Sequence, residues 1–217
     1  RVVLLTSAAL IVLGFVGILA LDNDGALSGL DLGQRLWAAF FQSVSARTAG
    51  FNTVDIAATS RATMLVFLVL MFIGASPGGT GGGIKTTTFA LVMLTARATL
   101  RGRTEVAVFG RAIPQSTVQK AAVISLLFIL AWATVAVALL ATQDGLSTEQ
   151  ILFETTSAIG TVGLSMNATT GLDAYGKVVI TFLMFLGRIG PLTLTLALGG
   201  RAPSTAVRYP EGKVIVG

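Results

Sequence analysis

Between Ala62 and Leu100 the chain reads as membrane helix, yet ten residues in its middle forbid one. Gly74-Ala75-Ser76-Pro77-Gly78-Gly79-Thr80-Gly81-Gly82-Gly83 holds six glycines and a proline. In a helix interior Gly costs about 1 kcal/mol and Pro about 3. Apolar, helix-forming sequence nonetheless runs from Met64 to Ile73 and again from Ile84 to Leu100. One continuous helix over 62–100 would be roughly 58 Å long, nearly twice the hydrocarbon core of a bilayer. The pattern therefore predicts a span broken near mid-depth by an irregular loop. Lipid cannot satisfy the polar groups of such a backbone, so the loop must line a cavity or be buried in protein.

Composition agrees with a membrane setting. Of 217 residues, 53% are hydrophobic and only 12% charged, where soluble domains carry about 25%; mean hydropathy is +0.83. The absence of Cys and His excludes disulfide frameworks, Cys/His zinc sites and histidine-based triads. The formal charge of +5 comes from basic residues in loops flanking apolar runs. That is a topology signal, so a lipid membrane is the expected partner and nucleic acid is not. The chain opens Arg1-Val2-Val3 straight into a span, as expected of a fragment of a longer protein. No small-residue cleavage site follows that run, so no signal peptide is recognisable.

Taken in order, Val2 to Leu21 is long enough to span, and Asp22-Asn23-Asp24-Gly25 stops it. Leu36, Trp37, Phe40, Phe41 and Val44 then recur at helical spacing within residues 32–46, too short a stretch to cross, hence a re-entrant helix. Arg97, Arg101, Arg103, Arg111 and Lys120 against Glu105 make the next connection strongly basic. The positive-inside rule places it on the cytoplasmic side, leaving the acidic loops and the short helices outside; contact with phospholipid headgroups explains the same charges. Ala121 to Ala141 is the next span. Ser147 is an expected N-cap with Glu149 in the first turn, and a second short helix reaches Ala158. A last span, Tyr175 to Leu198, is interrupted by Gly187-Arg188-Ile189-Gly190-Pro191. A tail with Arg201, Arg208 and Lys213 closes the chain on the cytoplasmic side.

Each short helix runs into a similar segment. Thr48-Ala49-Gly50-Phe51-Asn52 matches Thr161-Val162-Gly163-Leu164-Ser165 at an offset of 113 positions, and the same offset sets Gly74 on Gly187, so the break in each final span is expected at one equivalent point. Upstream the offset is 112: Phe41, Gln42, Ser45 and Ala46 fall on Phe153, Glu154, Ser157 and Ala158. One extra residue thus lies between helix and Gly segment in the second copy. The fold expected is an all-α membrane protein of two tandem span, re-entrant helix, Gly segment and span units. A glycine after a helix is most often a C-cap. Duplication with Thr two residues earlier favours instead a row of backbone carbonyls, as in the Thr-Val-Gly-Tyr-Gly filter of potassium channels. The helix C-termini would add their negative dipole ends. Two such units cannot enclose an ion alone.

Three stretches carry a family resemblance: Ser45-Ala46-Arg47-Thr48-Ala49-Gly50-Phe51-Asn52-Thr53, the Gly74–Gly83 loop continued by Ile84-Lys85-Thr86, and Gly187-Arg188-Ile189-Gly190-Pro191-Leu192-Thr193. With the ending Tyr209-Pro210-Glu211-Gly212-Lys213-Val214-Ile215-Val216-Gly217, the whole chain resembles the C-terminal half of a KtrB-like ion-conducting subunit of the Trk/Ktr/HKT superfamily of potassium transporters. The resemblance implies a pseudo-fourfold pore. Residues 1–100 would be its third unit, 101–120 a basic cytoplasmic linker, 121–200 the fourth unit and 201–217 a cytoplasmic tail. It also implies potassium uptake at the cell (inner) membrane, a homodimer of pores and a cytosolic nucleotide-binding regulatory ring (KtrA- or TrkA-like).

On this reading K+, with Na+ as a second candidate, meets the carbonyls of Thr48, Ala49, Gly50, Phe51, Thr161, Val162, Gly163 and Leu164, chiefly at Thr48, Gly50, Thr161 and Gly163. No organic cofactor and no covalent chemistry are expected. The resemblance makes Gly74, Ala75, Ser76, Pro77, Gly78, Gly79, Thr80, Gly81, Gly82 and Gly83 an intramembrane gate, with Arg188 facing it. A Walker A loop needs Gly directly before Lys and a preceding strand; here Ile84 intervenes and a helix precedes. Lys85 either faces the pore or marks the inner end of a half-helix. Arg47 and Glu154 are expected to brace the filter from behind, and Asp55 either gathers cations at the mouth or is simply solvated. The rivals are a complete homodimeric channel with two units per chain, a membrane enzyme acting on a phosphate substrate, and a structural scaffold.

Overall fold

The computed structural model of the protein describes residues 1–103 and 105–190. Eight helices follow in order: α1 (Val2–Leu21), α2 (Leu32–Ser45), α3 (Arg61–Phe72), α4 (Thr86–Leu100), α5 (Gln115–Leu140), α6 (Thr148–Gly160), α7 (Ala168–Gly171) and α8 (Ala174–Ile189). A 3-10 turn at Ile56–Ala58 precedes α3. Two strands, β1 (Ala107–Val108) and β2 (Arg111–Ala112), pair antiparallel between α4 and α5. Within α1 and α5 the apolar residues surround the axis, as expected where lipid is the solvent; both are long and apolar enough to cross a membrane.

The termini show why the helices begin where they do. Asp31 and Gln34 form a reciprocal capping box on α2, and Ser147 with Gln150 repeats it on α6, each pairing two amides that would otherwise be orphaned. Ser60 caps α3 through the Thr63 amide. At one end each half is tied shut by a polar side chain just beyond its first helix. Buried Asp22 accepts from the Ser60 amide at 2.8 Å, and Gln143 bonds Asp173 through both its amide atoms, at 2.8 and 3.1 Å. Asp22 is thus a tether rather than a solvated loop residue.

The broken span is resolved in an unexpected way. The Gly74 amide donates to the Ile84 carbonyl at 2.9 Å, and the Ile84 amide donates to the Phe72 carbonyl at 3.1 Å. The intervening residues leave the end of α3 and return to it as a side excursion. With 12 residues in α3 and 15 in α4, the helical length is about 40 Å.

Two expectations need correction. The second break begins at Gly190, φ +88°, and not at Gly187, which stays helical in α8. A single glycine costs a helix little, and Gly187 is kept by packing: its Cβ position lies 2.8 Å from the Ile159 carbonyl carbon. The basic connection is shorter than 101–120, because α5 starts at Gln115 after Pro114. Gln, Ser and Lys make a helical turn without looking apolar, so hydropathy alone starts the helix too late. The connection also holds the β1–β2 hairpin, turned by Phe109 and Gly110 at positive φ, the pattern of a two-residue primed turn. Residues 191–217, with the end of the last span and the tail, lie outside the described residues.

The core forms two clusters. One joins α1, α2 and α3 around Phe67 and Met71; the other joins α5, α6 and α8 around Ile159 and Leu183. Phe67 and Phe153, both fully buried, meet edge to face at 6.2 Å and link the halves. Consequently α6 is enclosed by α3, α5 and α8, while α2 packs on α1 and leaves Leu36, Trp37, Phe40 and Phe41 exposed.

Candidate functional site

Both Thr-x-Gly segments leave their helices through the same backbone pattern. Thr48 and Gly50 have φ +72° and +78°; Thr161 and Gly163 have +53° and +97°. In each, the residue between has ordinary negative φ. A β-branched residue at positive φ is a genuine outlier, costing about 1–3 kcal/mol, and here it is repeated at matched places. Alternating the sign of φ in this way permits successive carbonyls along each strip to face one side, the arrangement a carbonyl-lined ion site requires. The extra residue of the second copy is absorbed by the helix: α6 runs to Gly160, with Thr161 as its left-handed cap, whereas α2 ends at Ser45 and turns through 46–49.

The two segments, more than a hundred residues apart in sequence, lie against one another. A Cβ on Gly50 would sit deep inside contact of the Val162 carbonyl oxygen and 3.3 Å from Gly163 Cα. Serines at equivalent positions pin the strips to their helices. Ser45 Oγ donates to the Phe51 carbonyl, and Ser157 Oγ accepts from the Gly163 amide at 3.1 Å. Phe51 is 69% exposed, whereas Leu164 is buried.

The Gly-rich excursion ends beside both threonines. The Gly82 amide donates to Thr161 Oγ1 at 2.7 Å, and the Cβ position of Gly81 lies 3.1 Å from Thr48 Cβ. Residues 77–80 at its tip are exposed, and Gly74, Gly82 and Gly83 are buried. Lys85 caps α4 and turns its ammonium back onto the Gly81 carbonyl. This offsets the unfavourable placement of a cation at a helix N-terminus. Arg188 is exposed and makes no hydrogen bond to the loop among the described residues. The α8 contact with the loop is the Gly187 carbonyl, 2.9 Å from the Cβ position of Gly82.

Arg47 and Glu154 lie behind the strips. Arg47 donates to the Ser7 carbonyl at 3.3 Å, to Ser7 Oγ at 3.4 Å and to the Gly74 carbonyl at 3.5 Å, joining α1 to the root of the excursion. Glu154 accepts from Ser165 and Thr169. Asp55 caps the 3-10 turn through the Ala57 amide at 2.9 Å. Sequence reasoning had no signal for the Gly82–Thr161 bond. The Gln150 capping partner was readable, as a Gln three residues after Ser147.

Residues 1–207 match the family described as TrkH, cation transport protein. The chain belongs to the TrkH family. It is 41% identical over 204 residues to Ktr system potassium uptake protein B of Bacillus subtilis (strain 168), covering 93% of this chain and 45% of that protein. With the protein of the same name from Vibrio alginolyticus it shares 39% over 219 residues, 100% of this chain and 48% of the other. Against potassium/sodium uptake protein NtpJ of Enterococcus hirae the figures are 36% over 225 residues, 100% and 49%. The chain thus spans about half the length of these curated relatives. The crystal structure of the potassium transporter TrkH from Vibrio parahaemolyticus superposes with a TM-score of 0.74 at 23% identity, over 91% of this chain and 43% of that one, a likeness of fold. Members of the TrkH family are transport proteins rather than enzymes, and membership places this chain in a membrane.

Proposed function

We propose that the chain is the C-terminal half of a potassium uptake pore, with the two strips as half of its selectivity filter. The observation that carries this is the matched alternation of positive and negative φ in two Thr-x-Gly segments that meet at the C-termini of α2 and α6. Carbonyls of Thr48, Ala49, Gly50, Phe51, Thr161, Val162, Gly163 and Leu164 replace the water shell of a passing ion. Two negative helix ends aimed at the same place favour a cation. The Gly74–Gly83 excursion acts as a gate beneath the filter. Its exposed tip is the movable part, its buried ends are the anchors, and Lys85 and Arg188 slow cations electrostatically.

The two halves, α1–α4 and α5–α8, are read as the third and fourth of four units. The asymmetry of α2 and α6 supports this: α6 rests on the preceding α3, whereas α2 borders an open apolar cavity of about 630 Å³ lined by Trp37, Phe41, Val44 and Phe51. A preceding unit would supply the missing helix. Pairing of two pores, a cytosolic nucleotide-binding ring and cytoplasmic placement of the basic residues within 97–120 and of the C-terminus complete the proposal. The name of the Enterococcus relative makes Na+ the competing cargo. The test is uptake by cells lacking their own potassium transporters. The full-length protein should rescue growth at low potassium, and Gly50→Ser should lose preference for K+ over Na+. A correctly inserted wild type that moves no cation refutes the proposal.

A further inference from the structure

Each half carries a second, outer strut between its short helix and the segment beyond the Gly strip. In α2, Gln42 Nε2 donates to Thr53 Oγ1 at 3.5 Å; in α6, Glu154 Oε2 accepts from Ser165 Oγ at 2.6 Å. Both pairs join a helix residue to the hydroxyl eleven positions later; Gln42 falls on Glu154 at the helix offset of 112, whereas beyond the extra residue Ser165 falls on Asn52, so the first half uses Thr53, one place further on. Both helix residues are buried, at 0% and 5% exposure. The geometry is repeated and the charge is not.

We infer that positions 42 and 154 are positioning residues for the filter, and that the charge of Glu154 sets cation affinity while the strut itself sets ion preference. Ser165 follows Gly163 by two residues, at most about 7 Å of chain, so a tether at Ser165 limits where the Gly163 and Leu164 carbonyls can point. Ser157 holds the Gly163 amide from the near side, and Glu154 closes the far side. Thr169 donates to the other carboxylate oxygen, so both oxygens are engaged. Among the described residues no basic side chain lies within ion-pair distance of Glu154; the ion pair there is Arg61–Glu149. A buried carboxylate lacking a fixed cation is stabilised by a mobile one, and the adjacent filter would supply it. In the first half Gln42 offers no charge, and its Oε1 is buried without a partner.

The inference rests on reading Thr161–Leu164 as cation-coordinating. Its test uses full-length protein in proteoliposomes, with K+ and Na+ flux measured for wild type, Glu154→Gln, Glu154→Ala, Ser165→Ala and Ser165→Thr, each checked for folding by thermal melting. Glu154→Gln keeps an acceptor for Ser165 and removes the charge. It should raise the half-saturating K+ concentration about three- to tenfold and leave the K+/Na+ ratio unchanged. Glu154→Ala and Ser165→Ala should each lower the ratio at least threefold, and the double variant should lower it no further, because one interaction is lost in all three. Ser165→Thr keeps the hydroxyl, in the residue type the first half uses at Thr53, and should behave as wild type. A selective wild type whose folded Glu154→Ala and Ser165→Ala variants keep its ratio overturns the strut alone. So does Glu154→Gln losing preference as fully as Glu154→Ala. A wild type that moves no cation overturns the filter reading and the strut with it.

Discussion

Replacing Gly50 by alanine probes the place where the two strips touch. Gly50 has φ +78°, a conformation costing an L-residue about 1–2 kcal/mol. The new Cβ would collide with the Val162 carbonyl oxygen and stand 3.1 Å from its carbon. These are backbone atoms with no rotamer to escape into, so overpacking adds about 1–3 kcal/mol. The sum, about 2–5 kcal/mol, is relieved by turning the Val162 carbonyl or parting the strips. Gly163 is the control. It also has positive φ, +97°, but the nearest atom to its Cβ position is Gly50 Cα at 3.7 Å, an ordinary contact. Gly163→Ala therefore carries backbone strain without the collision. Every 1.4 kcal/mol displaced onto ion coordination changes preference tenfold. In proteoliposomes holding the full-length protein, Gly50→Ala should lower the K+/Na+ flux ratio at least tenfold and Gly163→Ala clearly less. Equal losses, or a worse Gly163→Ala at matched incorporation, would refute the argument from close approach.

Other positions give sharper or gentler outcomes. Gly82→Ala would press a Cβ to 2.6 Å from Thr161 Cγ2, while Gly78, at the open tip, has no atom within 4 Å of its Cβ position. Flux should collapse in the first, whereas the second should lose only about 1 kcal/mol of stability, from its left-handed φ; thermal melting and flux on both variants check the contrast. At the N-terminal end of α8, the Gly176 amide, and after it Gln143, hold the Asp173 carboxyl below the usual carboxylate range. A depressed folded-state value means this stabilisation is complete above the ordinary value of about 4 and lost as pH falls through the folded-state value. The melting difference between wild type and Asp173→Asn should therefore shrink from about pH 5 downward; a difference constant to about pH 3 counts against it. Arg61 and Glu149 pair at 2.9 Å but are 88% and 40% exposed. Screening keeps such a pair below about 1 kcal/mol, so Glu149→Gln should move the melting temperature by no more than a few degrees, less still at high salt.

Much of this molecule is written locally. The apolar lengths of α1 and α5, the caps at Asp31 and Ser147, and the helix-breaking run Gly74–Gly83 follow from propensity and spacing within a few residues. The repeat follows from comparing the chain with itself. Local signals fail where a neighbour distant in sequence decides. Gly187 looks like Gly74 but stays helical, because Ile159 packs where its side chain would be and tertiary contact outweighs a propensity of about 1 kcal/mol. The Gly-rich run announces a break but not its course. Only backbone bonds back to Phe72 and Ile84 make it an excursion, and only the bond between Gly82 and Thr161, 79 residues apart, sets it against the strips. Likewise the glycines at 50 and 163 declare permission for positive φ. Their mutual approach, which turns two helix ends into one site, arises from α3 packing on α6, a contact between surfaces that neither segment encodes alone.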